Sequence, residues 1–489
     1  MPAARSTPTT FLLLLLAFLA CTAQSTLRAE EHYANLNQSL HEYQRRQFEQ
    51  CRKTLAAIHT MVDLEDYKKK VRRQFQKVLG PWPQRTPLKP VKTGELERDS
   101  YTVEKILIQS RPGFYVPINL YLPSGRKKPM PTVLSPLGHA PPGKAWSKND
   151  NYQARFINLA KKGYIVCAYD PLGQGEREPY GAKTGNHHQV QGYQCMPSGR
   201  HLAQYFIWDG IRCLDYLETR PEVDRKRIAC AGCSGGGALT NYISALDDRV
   251  TVSVPTSWIT DSIFLTEGTS GLHPESWFPE ICAEHAPGTR QLLACIAPRP
   301  LMIIGNQSDP LFPPKEMKAV FDDTRRLYER LGIGDRVAYA NVPTRHGFWG
   351  PARTELYRFL NKWFDNPDAG VDEGPFQVET EKDLYCAPEG QVRNLPAAEN
   401  VYSLNQKWMK QLADLRAERR KSLKPQEYAK YIRCGVMECT FYHPTRTKVR
   451  AAERKDSESS KQTANPKKLL LETEPGFWSK ADLYQPQSP

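Results

Sequence analysis

The stretch Cys230-Ala231-Gly232-Cys233-Ser234-Gly235-Gly236-Gly237 closes an apolar run and opens a segment of helical character, and few chain paths satisfy both. It contains the pattern G-x-S-x-G. If Arg227 to Cys233 is a strand and Gly235 to Ala245 a helix, Ser234 sits on a sharp strand-to-helix turn with its hydroxyl lifted above the sheet edge, a nucleophile's position. Such a turn crowds the two backbones and strains the serine, so its neighbours lack side chains. Gly-Ser-Gly clusters also make ordinary loops, so the motif needs support from the rest of the chain.

Hydrophobic periodicity supplies that support. Lys105 to Gln109 and Val116 to Leu122, separated by Arg111-Pro112-Gly113, read as a hairpin. From Pro131 onward short apolar runs alternate with helical patterns, the signature of βαβ units and a mostly parallel sheet. The runs are Thr132 to Ser135, Tyr164 to Tyr169, Arg227 to Cys233, Val250 to Val254, Leu301 to Gly305 and Val337 to Val342. Between them Tyr152 to Lys162, His201 to Thr219, Lys315 to Leu331 and Thr354 to Phe364 read as helices. The expected class is α/β: a doubly wound, mostly parallel sheet with an antiparallel hairpin at its start, laid out as an α/β-hydrolase.

In such a sheet ligands bind beyond the carboxyl ends of the strands. Three loops there carry candidate chemistry. The loop from Ser135 to Lys144 contains Gly138-His139; a backbone N–H of His139 together with that of Gly235 would form an oxyanion hole. The loop after Leu301 to Ile304 holds Asp309, an acid able to orient a histidine, although an Asp-Pro turn is common in any protein. The third loop holds His346. Ser234, then Asp309, then His346, each just past an expected strand, is the Ser…Asp…His order of α/β-hydrolases.

With Gly138-His139 and Gly143-Lys144, Tyr169 to Glu176, Trp208 to Arg212, Leu217 to Pro221, Gly232 to Gly236, Ile296 to Leu301, Asp309 and His346, the chain resembles bacterial secreted α/β-hydrolases of the acetyl xylan esterase and cephalosporin deacetylase group. The resemblance spans about residues 101 to 366. It implies serine-dependent ester hydrolysis on a carbohydrate, with no cofactor. Two other groups fit less well. Glucuronoyl esterases share Gly-Cys-Ser but follow it with a basic residue, where this chain has Gly235. Prolyl-oligopeptidase-like peptidases share the acid-loop pattern of Gly305 to Pro313 but carry a β-propeller, which the roughly 75 residues before the hairpin cannot make. A peptidase acting on short peptides, and a catalytically silent carbohydrate- or anion-binding protein on the same scaffold, remain the alternatives.

Arg5, the apolar run Phe11 to Ala20 and the small residues Ala20 and Ala23 stand in signal-peptide order, and about ten apolar residues are too few to span a bilayer. Export is therefore expected, with no transmembrane span. Phe18-Leu19-Ala20-Cys21 is an imperfect lipoprotein site, making lipid anchoring at Cys21 the subordinate reading. Of 12 cysteines, the 11 beyond such a leader lack a disulfide-framework spacing and are expected as buried thiols. Cys230-x-x-Cys233 nominally fits a redox motif, but it ends a strand instead of opening a thioredoxin-like helix.

Leu36 to Ile58 and Leu64 to Leu79 read as amphipathic helices leading into the main domain. Inserts at 181–201, with His187-His188, and 258–298, with His273, Trp277 and His285, are expected at the pocket rim. Neither has HExxH or Cys-rich spacing, so no metal is expected. The net charge of +14 includes an excess of about eight positive charges over residues 401 to 489, which raises anionic partners, but a solvated surface suffices and no nucleic acid is expected. A repeat is the sharper observation there. Lys105 to Tyr115 returns as Lys468 to Trp478, Leu120 to Pro123 as Leu483 to Pro486, and Tyr67 weakly as Tyr428, all about 360 residues on. The expected organisation is thus a leader at 1–23, a helical lead-in at 24–100, the catalytic domain at 101–370, and at 371–489 an extension that begins a second hydrolase unit without an elbow. Ala451 to Lys467 is expected as a flexible linker, and the second hairpin as paired to the first domain or partly ordered.

Overall fold

The computed structural model describes residues 45–46, 48–125, 129–148, 151–179, 187–260, 288–440, 450–453, 467–474 and 477–483. The expected leader, the start of the first amphipathic helix, His273, Trp277, His285 and the echo at Tyr484 to Pro486 lie outside them.

Strands β1 (Val91–Glu97), β2 (Tyr101–Arg111), β3 (Phe114–Pro123), β4 (Met130–Ser135), β5 (Ile165–Tyr169), β6 (Val223–Cys233), β7 (Val252–Thr256), β8 (Leu301–Ser308) and β9 (Val337–Arg345) form one nine-stranded sheet. Its order is β1-β2-β3-β5-β4-β6-β7-β8-β9. β1, β2, β3 and β5 pair antiparallel in succession; β5, β4, β6, β7, β8 and β9 pair parallel. This is the α/β-hydrolase arrangement expected from the runs.

The central strands are apolar on both faces because helices cover both. In β8 Leu301 and Ile303 join one core cluster and Met302 and Ile304 the other; in β6 Ile228 and Cys230 alternate with Ala229 and Ala231 in the same way. Helices α1 (Met61–Leu79), α3 (Leu202–Leu217), α4 (Gly235–Leu246) and α5 (Pro314–Arg330) pack on the first face, and α2 (Tyr152–Lys161) and α6 (Gly350–Trp363) on the second.

The lead-in is part of this body. α1 starts at a reciprocal Thr60–Asp63 capping box. It buries Leu64, Val71, Phe75 and Leu79 in the first cluster, and Arg72 Nε donates to the Ala245 carbonyl at 2.7 Å.

Contacts also continue past the boundary expected at 370, and the first compact unit runs to Ala413. An irregular strap brings Glu379, Leu384 and Cys386 into buried positions. Gln153 and Glu379 exchange two hydrogen bonds of 2.8 and 3.0 Å, and Asn119 Nδ2 donates to the Leu384 carbonyl at 3.1 Å. The strap is anchored by backbone groups and single buried side chains, which leave no periodicity for sequence reading to detect.

The second unit, 414–489, contains the end of α7 (Val401–Ser422), then α8 (Pro425–Thr440) and strands β10 (Arg450–Glu453), β11 (Lys467–Glu474) and β12 (Phe477–Leu483). Two expectations are corrected here. Residues 451–453, read as linker, are a strand, and the second hairpin sits in a three-stranded antiparallel sheet of its own. The echo extends to register: Arg111 pairs with Phe114 after a shift at Gln109/Arg111, and Glu474 pairs with Phe477 after a shift at Glu472/Glu474. One pattern of register shift and strand pairing thus recurs 363 positions later.

Candidate active site

Ser234 stands between β6 and α4 with φ 58° and ψ −125°, a left-handed conformation unusual for a residue with a side chain. Its N–H donates to the Thr256 carbonyl at 3.0 Å, which ties the turn to β7. The crowding expected around it is measurable: a Cβ on Gly232 would lie 2.5 Å from the Gly236 and Pro136 oxygens, and one on Gly236 2.4 Å from Pro136 O. A side chain at either position would push the turn open and lower the serine.

Asp309 follows β8 and is buried. Its Oδ1 accepts the backbone N–H groups of Leu311 and Phe312 at 2.9 and 3.1 Å, and its Oδ2 lies 2.9 Å from His346 Nδ1. The Asp-Pro turn and the histidine-orienting acid are therefore the same structure. With Nδ1 held by the carboxylate, Nε2 is the imidazole nitrogen left to accept a proton. The Phe312 ring stacks on the imidazole with centroids 5.7 Å apart. Asn306 steadies the loop from below, its Nδ2 donating to Gly347 O at 2.9 Å and its Oδ1 accepting from Thr344 Oγ1 at 2.8 Å.

Ser234, His346 and His139 line one cavity of about 360 Å³. Ser234 and His346 share it without a hydrogen bond between them. The cavity is also lined by Trp146, Tyr152, Arg345 and Trp349, which sequence reading missed. Arg345 directly precedes His346 and Trp146 closely follows the Gly138-His139 loop, so proximity to the motifs was the available signal.

His139 is exposed toward this space. The next amide, that of Ala140, is committed to Gln174 Oε1 at 2.6 Å. A Cβ on Gly235 would come within 2.8 Å of His139 Cε1. A side chain at position 235 would therefore require the imidazole to move.

Beneath the His139 loop, Lys144 is wholly buried and forms ion pairs with Asp170, at 2.7 Å, and Glu176. Burial works against its charge, but the two carboxylates override burial and hold Lys144 well above the ordinary lysine range. Glu176 also accepts the N–H groups of Cys386 and Ala387, which fastens the strap to the floor of the site. The Tyr169-to-Glu176 motif is thus a support for the loop. Trp208-to-Arg212 is another support: Asp209 pairs with buried Arg177 at 2.6 Å, and Trp208 Nε1 donates to Ser110 O.

His188, expected at the rim, is buried with Nε2 2.6 Å from the Leu172 carbonyl and its ring 5.1 Å from that of His139. Cys230 and Cys233 are both buried and in no disulfide, and burial pushes the Cys230 thiol up to about 12, opposite to what redox exchange requires.

The family model described as acetyl xylan esterase matches residues 88–260, which include β1 to β7 and the Ser234 turn. The solved structure of the methylesterase BT1017 is 25% identical and superposes with a TM-score of 0.56 over 70% of this chain and 76% of that one. This chain is a carboxylic-ester hydrolase of the α/β-hydrolase fold. Among sequence relatives, the esterase is 25% identical over 303 residues to YtaP of Bacillus subtilis (strain 168), a hydrolase by its name, covering 60% of this chain and 98% of that one. It is 23% identical over 193 residues to 4-O-methyl-glucuronoyl methylesterase 1 of Wolfiporia cocos (strain MD-104), covering 34% and 47%. No described helix of the esterase is long and apolar enough to cross a membrane.

Proposed function

We propose that Ser234, His346 and Asp309 form a catalytic triad that removes small acyl groups, acetyl first, from carbohydrate esters through an acyl-enzyme. The observation that carries this reading is the strained Ser234 turn opening into the same cavity as an imidazole held by a buried carboxylate. His346 takes the Ser234 proton as the hydroxyl attacks the ester carbonyl, and the backbone N–H groups of Gly235 and His139 receive the oxyanion. His346 then protonates the leaving alkoxide, and Asp309 stabilises the transient imidazolium. Water repeats the sequence on the acyl-serine and releases the acid. Protein side chains and backbone supply every role, so the cycle needs no cofactor.

The carbohydrate assignment draws on the acetyl xylan esterase match and on Trp146 and Trp349 at the cavity wall, flat apolar faces suited to a sugar ring. Export of the mature chain belongs to the same proposal and draws on the leader pattern. The test is acetate release from acetylated xylan and turnover of p-nitrophenyl acetate, set against aminoacyl anilides, by wild type and Ser234→Ala. Ester turnover that vanishes in the variant, with anilides untouched by either protein, supports the reading; anilide cleavage by the wild type replaces it with the peptidase reading.

A further inference from the structure

The cavity that holds Ser234 and His346 contains one fixed charge among its described lining residues, the guanidinium of Arg345. Arg345 ends β9, is exposed, and has its guanidinium carbon 5.2 Å from the centre of the Trp349 ring. Trp349 is itself tied down, its indole N–H donating to the His346 carbonyl at 3.1 Å. Among the described residues no carboxylate pairs with Arg345. Asp309, across the loop, is buried with both oxygens engaged by His346, Leu311 and Phe312. An arginine held beside a reacting centre with no described carboxylate on it presents its N–H fork to whatever anion enters.

The chemistry fixes which half of the ester that anion sits on. His346 must hand its proton to the leaving alkoxide, so the alcohol half lies against His346 and the acyl half toward Gly235 and His139. Arg345 adjoins His346 and shares its wall, which places it on the alcohol side. We infer that the site selects esters whose alcohol carries a carboxylate, such as an O-acetylated uronic-acid unit, with Arg345 binding that carboxylate. This inference rests on the serine-ester reading above. Trp349, stacked under the guanidinium, holds the fork in place while leaving its outer edge to the ligand.

The test uses 4-acetoxybenzoate and its methyl ester, two acetyl esters that differ in a carboxylate on the leaving alcohol. Comparing wild type, Arg345→Ala and Arg345→Lys as ratios of kcat/KM for the anionic over the neutral ester cancels the intrinsic reactivity of the two phenols. The expected result is a ratio about tenfold lower in Arg345→Ala, carried mainly by KM, with Arg345→Lys intermediate because a point charge replaces a bidentate donor. The wild-type ratio also falls as salt rises, since the guanidinium is exposed to screening ions. An identical ratio in wild type and Arg345→Ala overturns the inference, as does an equal loss on both esters, which would make Arg345 a support for the loop. Hydrolysis of neither ester by the wild type overturns the ester reading itself.

Discussion

At the scale of single residues, the site depends on groups that the fold leaves no freedom to rearrange. Asp309 is buried and fixes the His346 ring by accepting from its Nδ1, so Asp309→Asn should lower kcat by about 10⁴-fold on p-nitrophenyl acetate while the chain still folds, as judged by circular dichroism. A Cβ on Gly235 would press on the His139 ring, which must turn away to admit a side chain. Gly235→Arg should therefore cost about 10²-fold in kcat/KM by displacing the loop, and adding His139→Gly, which keeps the backbone N–H, should recover part of it. Recovery would be absent if the arginine acted by charge alone. The thiols give a third check. Cys434 is exposed and Cys230 is buried with its pKa pushed up to about 12, so iodoacetamide followed by peptide mass spectrometry should label Cys434 well before Cys230. Ser234, Asp309 and His346, proposed here as the triad, could be singled out in the sequence because each is a polar residue within four positions of the end of an apolar run. Arg345, Trp146 and Trp349 were not, because their meeting depends on how two separate loops, after β4 and after β9, fold over one another.

At the scale of elements, legibility followed burial. β4 to β9 stand out as apolar runs because two helical layers cover the sheet, and their predicted limits differ from the observed ones by a few residues. β1 escaped notice because it is an edge strand with an exposed pattern, Val91-Lys-Thr-Gly-Glu-Leu-Glu, paired on one side only. The strap after Gly370 was hidden for a different reason: it holds on through Glu176, Gln153 and Asn119 rather than through a hydrophobic face. The Lys144–Asp170–Glu176 cluster joins that strap to the loop bearing His139. Lys144→Met should lower stability by about 3–5 kcal/mol in urea denaturation, since two carboxylates would be left buried without their cation. Combining it with Asp170→Asn and Glu176→Gln should restore much of the loss, because the amides keep acceptors for the strap's N–H groups. A triple variant no more stable than Lys144→Met would show that charge compensation is not what the cluster provides.

At the scale of the whole molecule, the chain divides at Ala413 and not at the change in composition near Pro367. A chain ending after Gly370 should fail to fold, whereas one ending after Ala413 should keep its esterase activity, measured on p-nitrophenyl acetate. An active chain ending at 370 would mean that the strap is dispensable. The second unit repeats the hairpin of the first down to its register shift, which supports the proposal that it begins a second hydrolase unit, and no described strand-to-helix elbow follows it. The proposed catalysis rests on one hydroxyl of the first unit. Labelling with diisopropyl fluorophosphate followed by peptide mapping tests this most directly. The account predicts one phosphoryl group per chain on Ser234, with ester hydrolysis lost in parallel and no labelling of Ser234→Ala at any other residue. Label on a different residue, or full hydrolysis by a chain modified at Ser234, would contradict it.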